Sequence, residues 1–175
     1  MLSLTSLAGW EEAVMASLRG ATGTLDERDR QIERSGLFGE YPAILSAYVD
    51  LFDDAESSSE ALKRAVFLVW RAAMDPSATT GIASLPDATA RAVIEALDAR
   101  VRSREVDEEL TWMLAWYVGR GRFVFELYGA TARLLALADS TPPDAWRSSS
   151  ITDDTMRQRG QMGYYWTALA REARS

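Results

Sequence analysis

The chain has 175 residues and a net charge of −7, with 47% hydrophobic residues, one Lys (Lys63) and neither Cys nor His. Those absences exclude disulfides, thiol chemistry, Ser-His and Cys-His nucleophile pairs, and His-ligated zinc or haem. The charge is uneven: residues 1–109 hold 20 acidic and 11 basic residues, residues 110–175 hold 6 and 8. The acidic majority argues against nucleic acid as a partner, because nucleic-acid binding wants a basic footprint.

No apolar run reaches the ~20 residues a membrane span needs. Residues Met1 to Leu7 show no basic region before an apolar run, so no secretory signal is read there and a cytoplasmic location is expected. The Arg-rich composition, poor in Lys and lacking Asn, indicates a bacterial genome of high GC content. The length fits one domain over 1–175.

Helix-period patterns dominate, and helices are expected near 7–19, 25–34, 41–53, 58–74, 86–103, 107–119, 122–138 and 153–172. Tyr41, Ile44, Leu45, Tyr48, Val49 and Phe52 form one amphipathic stripe. Val93, Ile94, Leu97 and Val101 form another, and Leu110, Met113, Leu114, Tyr117 and Val118 a third. Ser57 with Glu60, and Ser84 with Asp87, have the spacing of capping boxes. Asp107, Glu108 and Glu109 suit a helix start, and Pro42 suits a first turn.

The segment 58–74 is apolar on nearly every side, which predicts a buried central helix with Trp70 in its middle. The loop 140–150 is rich in turn residues, and Trp146 and Ile151 are expected to pin it to the core. The fold class is therefore all-α: a compact bundle of about seven or eight helices, or alternatively a short stack of helix pairs.

Four stretches are candidate sites. Asp50, Asp53, Asp54 and Glu56 could hold Mg²⁺ if Glu95 with Asp98, or Glu105 with Glu108, faced them across a cavity. The plainer reading is a solvated helix end and a helix-dipole cap. Arg120 and Arg122, beside Gly119 and Gly121, could grip a phosphate or carboxylate, or simply flank a break between two helices. Arg157, Arg159, Tyr164, Tyr165 and Trp166 have the composition of an interface hot spot. Gly160 and Gly163 lie among them, at about 1 kcal/mol each relative to Ala inside a helix, and imply a close approach by another helix or a ligand. Trp112 and Trp116 could line a pocket, although an aromatic pair at helical spacing reads first as core. Lys63 is expected in solvent beside Arg64.

These features favour a non-enzymatic protein-binding module, such as a small acidic neutraliser or adaptor of a basic partner, with no cofactor and no bound metal. The alternatives are a Mg²⁺-dependent phosphohydrolase using the Asp and Glu pairs, and a helical pocket that takes an anionic small molecule through Arg120, Arg122, Arg157 and Arg159.

Overall fold

A computed structural model describes residues 2–174, among which every regular element is a helix and there is no strand. Helix α1 (Leu4–Leu18) starts where the Ser3 hydroxyl accepts the Ser6 N–H. Helix α2 (Leu25–Ser35) opens on a full capping box between Thr24 and Glu27 and ends at left-handed Gly36. A 3₁₀ turn (Leu37–Gly39) leads into α3 (Glu40–Val49), with Pro42 in its first turn. Then come α4 (Ser58–Met74), the single turn α5 (Ser77–Thr80) and α6 (Asp87–Ser103). The chain finishes with α7 (Glu108–Leu127), α8 (Ala132–Asp139), a 3₁₀ turn (Ala145–Ser148), α9 (Asp153–Met156) and α10 (Gly160–Glu172).

Helix α4 is the axis of the bundle. It packs against α3, α5, α6, α7 and α10, and its residues Ala61 to Trp70 are all buried. Around Trp70 and Phe67 stand the rings of Tyr117 and Tyr165, with centroids 4.7 to 6.1 Å apart. The aromatic layer continues through Trp112, Trp116, Trp146 and Trp166. Trp112 and Trp116 are thus core residues, and Trp146 and Ile151 hold the 140–150 loop against the bundle.

Several boundaries differ from the sequence reading: the helix expected over 41–53 ends at Val49, which leaves Phe52 in a turn. The Gly119–Gly121 pair does not separate two helices: α7 runs through it with a kink at Gly121. A side chain at Gly121 would press on Trp70 Nε1 and Met74 Sδ, so the glycine lets α7 cross α4 closely. The stop falls at left-handed Gly129, where Ala130 N–H reaches back to the Phe125 carbonyl and closes the helix end. The expected helix 122–138 is therefore the end of α7 plus the separate α8. The expected helix 153–172 breaks at 157–159, between α9 and α10.

Two expected capping boxes also fail. Ser57 makes no side-chain cap, and Glu60 turns inward to Arg64 and Arg159. Helix α6 begins after Pro86 without a side-chain cap, so Ser84 and Asp87 form no box.

Candidate functional site

Sequence composition placed one Lys and several Arg on helices otherwise full of apolar residues, and the fold gathers three of them inside. Lys63 is buried, contrary to the solvent position expected, and donates to Asp107 at 2.6 Å and Glu109 at 3.0 Å. Arg64 donates to Glu60 and to the Leu4 carbonyl. Arg159, only 8% exposed, grips Glu60 through Nε and Nη2 and Glu109 through Nη1 and Nη2, at 2.5 to 3.0 Å. Three cations thus meet Glu60, Asp107 and Glu109 in a balanced cluster joining α4, the start of α7 and the start of α10.

Burial works against charge on Arg159 and Glu109, but their mutual bonds outweigh it. The Arg159 guanidinium is held above its ordinary range, and the Glu109 carboxyl below its own. The cations of the cluster are buried while its carboxylates reach toward the surface, so the loss of a carboxylate would leave a buried cation short of its partner. Arg159 is occupied on both sides, so it is not available to a ligand.

Beside this cluster lies a carboxyl the sequence reading did not single out. Glu11, on α1, is 1% exposed. Tyr48 Oη donates to its Oε1 at 2.6 Å, and the Gln161 N–H donates to its Oε2 at 2.9 Å. Glu11 therefore caps the start of α10 from another helix. Burial pushes its pKa up to about 7, against the two hydrogen bonds and the nearby charge of Arg64. Periodicity gave no sign of this, because a charged residue on a mixed helix face looks solvated until the partner helix is known.

The two unusual glycines now have structural causes. Any side chain at Gly160 would overlap the Glu11 carboxyl, and one at Gly163 would overlap the Met156 carbonyl. Both approaches are intramolecular. The turn between α9 and α10 also holds Gln158 and Gly160 at positive φ.

The proposed interface residues separate. Trp166 is 0% exposed and donates to Tyr117 Oη at 2.9 Å, so no partner can touch it. Tyr165 is half-buried against Phe67 and Trp70, and its hydroxyl accepts from Trp116 Nε1. Tyr164 is 52% exposed and bridges to Glu12 on α1. Arg157 is exposed and paired with neighbouring Asp154.

Arg122 is exposed and tied to Glu126 and Asp139, and the Arg120 guanidinium stacks on the Trp116 ring at 3.1 Å. The two Arg pairs do not converge on one concavity, since Arg159 lies inside the ion cluster.

Among the described residues no group of three or more carboxylates comes together to hold a metal ion. Asp54 accepts the Ser57 N–H, and Asp98 is buried on the Thr131 hydroxyl and N–H.

Tyr164 and Arg157 border a groove of about 730 Å³ between α1 and α10. Ala8, Gly9 and Gly163 lie along it, and Glu12 and Arg171 stand at its edges. Gly9 differs from the other two glycines of this region. It sits in the middle of α1, exposed, and a side chain there would meet nothing within 4 Å. The chain's own packing gives no reason for it.

Compared with protein-family models, with curated proteins and with solved structures, the chain matches none.

Proposed function

We propose that the protein is a non-enzymatic protein-binding module whose contact surface is the groove between α1 and α10. Gly9 carries this reading. A glycine inside a helix costs about 1 kcal/mol relative to Ala, and here no intramolecular contact requires it. It keeps the groove wall bare, so an occupant can approach the α1 backbone. Tyr164 and Arg157 at the border supply the residue types that dominate interface energetics. The net charge of −7 favours a basic partner, drawn in by long-range attraction.

The test is capture from the native host with the chain as bait. Gly9→Trp fills the groove without touching the core, so it should keep the wild-type melting temperature within a few degrees and lose the captured partner. Undiminished capture by a folded Gly9→Trp variant would refute the assignment.

A further inference from the structure

A cavity of about 270 Å³ lies where the loop after the 3₁₀ turn Ala145–Ser148 meets the end of α10. Trp146, Ile151, Ala170 and Ala173 give it an apolar floor. Ser149 adds a hydroxyl, whose hydrogen is spent on the Trp146 carbonyl. This is a different face of α10 from the one that borders the groove with Gly163, Tyr164, Thr167 and Arg171.

The charged residues of the lining are Arg147 and Arg174, and no carboxylate stands with them. Acidic residues outnumber basic ones in this chain, 26 to 19, and Arg122, Arg157, Arg159 and Arg171 each hold a carboxylate. Among the described residues Arg147 and Arg174 hold none. Each guanidinium is instead positioned by a neutral contact. Arg174 Nε donates to the Ala170 carbonyl at 3.0 Å, and the Arg147 guanidinium lies 5.1 Å from the centre of the Trp146 ring. Ala170 and Trp146 are both lining residues, so both guanidiniums stand at the rim of the cavity. The Nη groups of both have no acceptor among the described residues.

Two like charges at one concavity repel each other unless an anion lies between them. The paired N–H groups of a guanidinium match the oxygens of phosphate and carboxylate. Charge narrows the choice: a dianion balances two guanidiniums, and a phosphate monoester carries about −1.5 to −2 at neutral pH on three acceptor oxygens. A single carboxylate would leave one cation unmatched. The carbonyls at the end of α10 carry partial negative charge, which accounts for the bond from Arg174 Nε but not for its Nη groups or for Arg147. We propose that this cavity binds a phosphoryl group between Arg147 and Arg174, with the moiety that bears it resting on the apolar floor. The site is separate from the groove and stands whether or not a protein docks there.

Titration of the isotopically labelled protein with inorganic phosphate, phenyl phosphate, succinate and acetate, at constant ionic strength and about pH 7, tests the site. Phenyl phosphate should shift the backbone amide signals of 146–151 and 170–174 saturably at millimolar concentration. Tighter binding of phenyl phosphate than of inorganic phosphate identifies an organic phosphate as the ligand, and equal or weaker binding identifies the free ion. Succinate and acetate should bind at least about tenfold more weakly than the better phosphate. Arg147→Gln and Arg174→Gln alter exposed side chains, so both should keep the wild-type melting temperature within a few degrees and each should weaken phosphate binding by about tenfold or more. If one variant does not fold, the other decides. No saturable shift with either phosphate, binding of succinate or acetate as tight as phosphate, or undiminished phosphate binding in a folded variant would overturn the proposal.

Discussion

The hydroxyl of Tyr48 donates to Glu11 at 2.6 Å inside the bundle, and the other oxygen of the same carboxyl receives the N–H of Gln161. One acidic side chain thus ties α1 to α3 and to the start of α10. The titratable and charged groups around it are Tyr41 and Tyr48 from α3 and Arg64 from α4.

This carboxyl should make stability depend on pH. Its folded pKa of about 7 lies above the ordinary 4.5, so the folded state retains a proton that the unfolded state has released. The contribution is full below about pH 4.5, falls as pH rises toward 7, and is gone above it. Denaturant midpoints should fall over that window, corresponding to about 3 kcal/mol at most. Glu11→Gln should flatten the fall. Glu109 acts in the opposite sense and lower in pH, since its folded pKa is depressed. The difference between wild type and Glu11→Gln isolates Glu11, and identical pH profiles for the two would show that this carboxyl titrates normally.

Arg157 and Arg159 are two residues apart and should behave oppositely. Arg159→Ala takes one of two cations from each of the half-buried carboxylates Glu60 and Glu109, which keep Arg64 and Lys63, and should cost about 1.5–3 kcal/mol. Arg157→Ala removes an exposed pair with Asp154 and should change stability by less than about 1 kcal/mol. Thermal melts of the two single variants decide this, and similar losses for both would mean that the ion cluster is not formed as described.

Trp70 touches the rings of Phe67, Tyr117 and Tyr165 and sits under the α7 kink. Trp70→Ala should cost about 3–5 kcal/mol, a large part of a typical total of about 5–15 kcal/mol. A nearly unchanged melting temperature would remove α4 from the centre.

Gly9→Ala adds a methyl group into open space in mid-helix and should stabilise the free protein by about 0.5–1 kcal/mol. Gly160→Ala should instead destabilise it, through overlap with Glu11 and a positive φ. Chemical denaturation of both variants checks the contrast, and destabilisation by Gly9→Ala would mean that the fold itself needs this glycine.

The helix class and the central place of 58–74 were legible because apolar spacing reports burial directly. Trp112 and Trp116 were legible as core for the same reason. The charge of Lys63 suggests solvent, whereas its stem is buried and its ammonium reaches Asp107 and Glu109, 44 and 46 residues away, at the edge of the bundle. Arg159 and Trp166 have the residue types of an interface, and pattern alone does not tell a buried anchor from a surface contact; both are buried. The break at 157–159 is hidden in the sequence because the residues around it carry a helical pattern, while Gln158 and Gly160 adopt positive φ and Gly160 lies against the Glu11 carboxyl of α1. Gly121 stands in the sequence between two arginines, and its role as the gap for Trp70 depends on how α7 crosses α4.

The groove assignment is tested most directly by hydrogen–deuterium exchange on the protein before and after its captured partner binds. Protection confined to α1 around Gly9 and to the 157–171 stretch bearing Arg157 and Tyr164 is the expected result. The competing surface is the exposed apolar pair Phe123 and Leu127 on the far half of α7. Protection at 119–127 with none on α1 or α10 would contradict the assignment and move the binding surface there.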